Sequence, residues 1–307
     1  MGEFAAIDRF RRMLPQPAAG ETWIGDDAAV VAAPAGALLL TSDAVVAGVH
    51  ADLDLVGLDD FGWKAVAAAV SDVAAMGGRP THLLVSLCAP EGTDIDLLYA
   101  GVVAASSEYG CPVVGGDLSG ASQLVVSVTV VGDAGAGAAP PVLRSGAGAG
   151  DTIFVTGPLG SSAAGLRRLR EAAAHPAGSR DDPLIRAHRR PRARPAEGAA
   201  ARAAGATAMI DVSDGLVADL RHLARASGTG VVVDTVPVAD GAAEAEALAG
   251  GEDYELVFTA PDPGRVAAGF AAAGLPAPIA IGRCTGDPDE RVLAGGPLPE
   301  GGWEHWV

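Results

Sequence analysis

The stretch GDAGAGAAPPVLRSGAGAGD, Gly132 to Asp151, replaces the β-branched run QLVVSVTVVG (123–132) with glycine, alanine and proline. That composition favours loop over helix or strand, and it places a domain division near residue 145. On its N-terminal side ALLLTSD (37–43), THLLVSLCAP (81–90), CPVVGGD (111–117) and QLVVSVTVVG read as strands rich in Val, Leu and Thr. Two long helices separate them. The first follows Asp59 as N-cap and runs through FGWKAVAAAVSDVAAMG to Gly77; the second spans about Asp94 to Tyr109. On the C-terminal side TIFVTG, AMIDVSD, VVVDTV, YELVFTA and APIAIGR read as strands. SSAAGLRRLREAAA and GLVADLRHLARASG read as helices. Between them DDPLIRAHRRPRARPAEG cannot be one helix, because Pro191 and Pro195 interrupt it. The expected architecture is a mixed α/β chain of two domains, 1–140 and 145–307.

Length and composition fit two globular domains: 307 residues, 49% hydrophobic and 19% charged. A formal charge of −17 argues against nucleic acid as a partner, since a phosphate backbone rewards clustered Lys and Arg. The cations are divided unevenly, with a single lysine, Lys64, among the 21 Lys and Arg. No GxxxxGK[ST] loop and no HRD or DFG motif is present, so P-loop and protein-kinase designs are excluded. If this chain moves phosphate, metal ions must neutralise most of its charge. Cys88, Cys111 and Cys284 are widely spaced with no CxxC, which disfavours a disulfide framework or thiolate zinc site and suits a reducing cytoplasm. MGEFAAIDRFRRM lacks a signal peptide's apolar core, and no later run spans a bilayer uninterrupted, so a soluble, non-membrane protein is expected.

Asp26, Asp27, Asp43, Asp72, Asp117, Asp211 and Asp214 sit where strand-like runs end or glycine turns begin. Carboxylates so presented suit hard divalent cations, which prefer oxygen ligands. Thr41 and Ser42 add hydroxyl oxygens beside Asp43. Asp72 lies on an otherwise apolar helix, where a buried carboxylate without a partner is costly. Asp117 follows two glycines that let backbone approach a ligand. In IDVSDGLVADL, Ser213 and Asp214 can cap the following helix, but capping leaves Asp211 unexplained. The pair could grip metal while the helix N-terminus faces a phosphate. Arg144 on the interdomain loop could reach a phosphate or simply be solvated. His50 reads as a structural histidine or a ligand contact, and Glu252, Asp253 and Trp303 as possible organic-substrate contacts.

The ordered set GDDAAVV, TSDAVVAGVH, SDVAAMGG, YGCPVVGGD, RSGAGAGD, DVSDGL and GGEDYEL resembles thiamine-monophosphate kinase, of the aminoimidazole-ribonucleotide synthetase-like superfamily, over almost the whole chain. The resemblance implies an N-terminal sheet domain that builds a homodimer barrel, a C-terminal α/β domain, and ATP sites in the clefts between them. It implies direct in-line transfer from ATP to thiamine monophosphate, the last step of thiamine diphosphate synthesis, without a covalent catalyst or general base. Matching positions assign Asp26, Thr41, Ser42, Asp43, Asp72, Asp117, Asp211 and Asp214 to several Mg²⁺ ions, with Asp27 as a neighbour. Tyr99, Gly116, Asp117, Arg144 and Ser213 would contact ATP. His50, Glu252 and Trp303 would contact the acceptor, with Trp306 as the other candidate aromatic. The competing readings are a purine-biosynthetic enzyme of the same superfamily and a catalytically silent nucleotide-binding dimer. The Arg-rich loop 186–194 has no assigned role.

Overall fold

The computed structural model describes residues 3–24, 28–135, 139–174 and 182–303. Asp26, Asp27 and Trp306 lie outside the described residues. The chain divides into two compact units, Met1–Val73 with Pro80–Ala136, and Ala74–Arg79 with Gly137–Val307.

The first unit runs α1 (Glu3–Met13), β1 (Leu38–Val46), α2 (Leu58–Ala75), β2 (Arg79–Ala89), α3 (Ile95–Glu108), β3 (Val113–Gly120) and β4 (Val125–Asp133). Its four-stranded sheet has the order β1-β4-β2-β3, with β1 antiparallel to β4 and β2 parallel to β3. The β-branched run of β4 alternates buried and half-buried residues, as a strand covered on one face should. Helix α2 is buried almost throughout its middle, and Lys64, the lone lysine, is completely enclosed there. Helix α3 starts where Asp94 accepts the Leu97 amide and stops at Tyr109, followed by left-handed Gly110. Helices α2 and α3 cross at a pair of glycines. A Cβ on Gly62 would lie 2.2 Å from the Leu98 carbonyl oxygen, and one on Gly101 1.7 Å from that of Asp59.

The second unit continues with β5 (Thr152–Val155), α4 (Ser161–Ala174), α5 (Pro183–Arg189), α6 (Pro195–Ala203), β6 (Ala208–Asp211), α7 (Leu216–Ser227) and β7 (Gly230–Val233). It ends with α8 (Glu244–Ala249), β8 (Leu256–Ala260), α9 (Pro263–Ala272), β9 (Ile279–Thr285), β10 (Arg291–Leu293) and β11 (Gly296–Pro297). Its seven-stranded sheet is ordered β11-β10-β7-β9-β5-β8-β6 and is mostly antiparallel, with β10 parallel to β7. Successive residues point to opposite faces. Ile153, Val155, Ile210, Val257 and Ile281 pack with Leu216, Leu220 and Leu223 of α7 on one face. Phe154, Met209, Leu256 and Phe258 pack with Ala201 of α6 and Val266 and Phe270 of α9 on the other. Phe258 stacks with both Phe154 and Phe270, at centroid distances of 5.1 and 6.0 Å. The proline-punctuated segment folds as α5 and α6, each with proline in its first turn and a break at 190–194.

Two strands extend past their expected ends. β1 continues through Asp43 to Val46, and β3 through Asp117 to Gly120. Both carboxylates therefore stand within strands and not after them. The backbone ladder continues because their side chains lie on sheet surface that is not enclosed, where a carboxylate stays solvated. Among the described residues no helix is long and apolar enough to cross a membrane.

Gly101→Ala should cost on the order of 3 kcal/mol of stability, because backbone on both sides of the crossing must shift to admit one methyl group. Chemical denaturation measures this. A variant as stable as the parent would mean that the α2–α3 crossing is looser than described.

Candidate functional site

In the second unit, β6 carries Asp211 to its C-terminal end, where the side chain is 3% exposed. The loop that follows is clasped to the GGEDYEL turn by backbone hydrogen bonds. Glu252 N–H donates to Ser213 O at 2.8 Å, and Tyr254 N–H to Val212 O at 2.9 Å. Val212 N–H donates to Glu255 O at 2.7 Å, and Trp303 N–H to Asp214 O at 3.0 Å. Three stretches far apart in sequence thus meet in one place. Glu252 and Tyr254 take positive φ values of 66° and 50°, a conformation that side-chain-bearing residues adopt at a cost and that recurs at functional sites.

The helix after this loop is not capped as expected. Gly215, at φ 116°, occupies the cap position of α7 without a side-chain bond, so Ser213 is not the cap. The open amides are met instead by Asp219, whose Oδ2 accepts from Gly215 N–H at 3.1 Å and from Asp214 N–H at 3.3 Å. Asp219 is 1% exposed. Burial, then the charges of Asp211 and Asp214, push its carboxyl up to about 8. Asp219 stands outside the motif spacing that marks Asp211 and Asp214. The signal was available: an aspartate on an otherwise apolar helix face, the same pattern that drew attention to Asp72.

The GGEDYEL turn also supports α4 and the Arg-rich segment. Asp253 accepts from the amides of Gly160 at 2.5 Å and Ser162 at 2.9 Å, capping α4 from a distant part of the chain. Burial outweighs these bonds and pushes its carboxyl up to about 6. Glu255 is paired with Arg194 and accepts from Thr156 Oγ1 at 2.6 Å. Residues of the turn and of the segment share a cavity of about 200 Å³, lined by Glu252, Asp253 and Glu255 of the former and by Arg186, Arg190, Arg192 and Arg194 of the latter. Trp303 is half exposed, its backbone tied to the Asp214 loop. Arg144 is exposed.

In the first unit, Thr41 Oγ1 donates to Asp72 Oδ2 at 2.5 Å, which ties β1 to α2 and shares one face of β1 with Asp43. Ser42 points to the opposite face, where its Oγ accepts from Thr129 Oγ1 at 3.2 Å. Asp117 belongs to β3 at the other edge of the sheet. Three strand spacings separate it from β1, about 14 Å, so the fold does not bring Asp117 to the Thr41–Asp72 pair within the unit. His50 Nδ1 accepts from Val46 N–H at 3.0 Å, so the ring fastens its own turn and leaves Nε2 to carry the proton. Tyr99 is 4% exposed and stacks on Phe10 of α1 at 3.9 Å, which places its ring in the core and not at an open nucleotide surface. Gly116 has a structural reason of its own: a Cβ there would lie 1.8 Å from Val85 O on β2.

Among the described residues no group of three or more His, Cys, Asp and Glu is assembled for a metal ion. The chemistry of the donors still fits a hard cation. They are carboxylate and hydroxyl oxygens throughout, and burial together with the charges of Asp211 and Asp214 raises the carboxyl of Asp219 beside them.

Residues 25–134 match the AIR synthase related protein N-terminal domain, and residues 148–295 the corresponding C-terminal domain. The fold and both sets of oxygen donors thus fall within a two-domain class of that type. Thiamine-monophosphate kinase of Mycobacterium tuberculosis is 42% identical over 281 residues, 86% of this chain and 82% of that protein. The crystal structure of thiamine-monophosphate kinase from Stenotrophomonas maltophilia K279a, 34% identical, has a TM-score of 0.80 over 96% of this chain and 98% of that one. AaThiL complexed with AMPPCP and TMP, also 34% identical, has a TM-score of 0.75 over 99% of this chain and 97% of that one. The chain belongs to the thiamine-monophosphate kinase family.

Asp253 lends the turn a pH signature. Its carboxyl is raised from 3.8 to about 6, so within that window the folded state holds a proton that the unfolded chain has lost, and stability falls as pH rises. Asp253→Asn should abolish that loss. The melting temperature of the variant relative to the parent should climb across the window and level off above it. Parallel curves would place Asp253 in a solvated environment.

Proposed function

We propose that the protein catalyses ATP-dependent phosphorylation of thiamine monophosphate to thiamine diphosphate. An oxygen of the acceptor phosphate attacks the γ-phosphorus of ATP, the bond from that phosphorus to the β,γ-bridging oxygen breaks, and ADP leaves. The observation that carries the reading is agreement with thiamine-monophosphate kinases along the whole chain, through both units. The structure of AaThiL complexed with AMPPCP and TMP supports the pairing of a nucleotide with an acceptor. Bringing two phosphates together is opposed by their charge. Positioning and charge neutralisation then supply most of the acceleration, and no strong base is needed.

In this reading Asp26, Thr41, Ser42, Asp43, Asp72 and Asp117 from the N-terminal half and Asp211 and Asp214 from the second unit are the Mg²⁺ ligands, with Asp27 as a neighbour in sequence. Magnesium bound there would screen the phosphate charges, which the single, buried lysine cannot reach. Gly116, Asp117, Arg144 and Ser213 meet ATP. Tyr99 reaches the nucleotide only if α1 uncovers it. Glu252, His50 and Trp303 meet the acceptor; a carboxylate and an indole both suit a cationic thiazolium. The first unit serves dimerisation, supported by exposed Leu38, Leu40 and Leu84 on its sheet. Cys88, Cys111 and Cys284 form no disulfide, which accords with a cytoplasmic location.

Purified protein given ATP and Mg²⁺ should release ADP only when thiamine monophosphate is present, and should form thiamine diphosphate in equal amount. Release with an aminoimidazole ribonucleotide precursor instead would favour purine chemistry, and ATP binding with no turnover on any acceptor a silent scaffold. Asp211→Asn should lower kcat by roughly two orders of magnitude or more with an unchanged circular dichroism spectrum. Near-normal turnover would remove Asp211 from the metal set.

A further inference from the structure

Helix α5 places His188 behind the GGEDYEL turn with only 4% of its side chain exposed. Its Nδ1 meets Ser162 Oγ at 3.1 Å and Glu252 Oε2 at 3.7 Å. The first is a hydrogen bond; the second is electrostatic contact just outside hydrogen-bond range. Ser162 is itself fixed, since its amide donates to Asp253 at the N-terminus of α4. The imidazole is therefore held from α4 and α5 while facing a carboxylate on the turn.

Glu252 is the carboxylate that the imidazole approaches. Its backbone is pinned by φ 66° and by the bond to Ser213 O, but its side chain has three rotatable bonds and stands 24% exposed on the wall of the 200 Å³ cavity. Ordering such a side chain when a ligand arrives costs rotamer entropy, and a contact that orders it beforehand lowers that cost. The remaining charges on the cavity wall are Asp253 and Glu255, and Arg186, Arg190, Arg192 and Arg194 from the segment that carries His188. Of these, Asp253 accepts from the α4 amides and Glu255 pairs with Arg194.

We propose that His188 is a positioning residue that holds the Glu252 carboxylate toward the cavity for an organic cation, here the acceptor, so that the Arg-rich segment contributes to acceptor recognition through its histidine. This rests on the reading that Glu252 meets thiamine monophosphate. A histidine that merely fills volume would affect stability and both substrates alike.

Calorimetric titration of the full chain with thiamine monophosphate, in Mg²⁺ and AMPPCP, separates the two roles. H188Q should weaken acceptor binding by about tenfold while leaving AMPPCP affinity within about twofold. In an E252Q background, H188Q should add no further loss, because the contact has already been cut. Losses that multiply in the double variant, or an unchanged acceptor affinity in H188Q, would overturn the proposal. If H188Q does not fold, the imidazole ¹⁵N spectra of the parent and of E252Q decide it. A shifted His188 Nδ1 resonance supports the contact, and an unmoved one overturns it. A parent protein that binds no thiamine monophosphate would refute the acceptor assignment, while the Nδ1 shift would still judge the His188–Glu252 contact by itself.

Discussion

Three carboxylates, Asp211, Asp214 and Asp219, crowd the loop between β6 and α7, and the arrangement of the second unit depends on how their repulsion is managed. Burial first, then the two neighbouring charges, pushes the Asp219 carboxyl up to about 8, and its Oδ2 accepts from the amides that open α7. That leaves the two aspartates nearer the turn to present negative charge. The backbone clasp between this loop and the GGEDYEL turn holds the charges in place, and it rests on a sheet packed by apolar side chains on both faces.

The same economy of positive charge runs through the chain. The lone lysine is enclosed within α2 and cannot reach a phosphate from the surface, and Arg194 is paired with Glu255. The proposed Mg²⁺ ions would add the cationic charge that this lysine cannot bring to a phosphate. The Thr41–Asp72 pair and the exposed Asp117 on the far edge of the first sheet are oxygen donors of the same type, distributed rather than gathered.

Much of the architecture was legible because it is written in local pattern. The β-branched runs became β1 to β4, the alanine-rich helix became α2, and Pro191 and Pro195 broke the Arg-rich segment as expected. The strand ends were misjudged because Asp43 and Asp117 looked like terminators, although a carboxylate on an unenclosed face does not stop a ladder. Helices α1, α8 and α9 went unread, although α9 carries an Asp262 cap and a proline in its first turn. At the site, the aspartates of DVSDGL stood out by their spacing. The cap by Asp219, the burial of Tyr99 under Phe10 and the approach of His188 to Glu252 did not, because each is decided by tertiary packing. The last joins residues 64 positions apart, which no local pattern reports.

The central claim is that the carboxylates of this chain accept nucleotide phosphates only in company with divalent cations. Calorimetric titration with ATP in the presence of Mg²⁺ and again in excess chelator tests it most directly. The account predicts saturable binding with Mg²⁺ and affinity weaker by at least about 100-fold without it. Equal affinity in chelator would contradict the account and return the phosphate-binding role to the arginines.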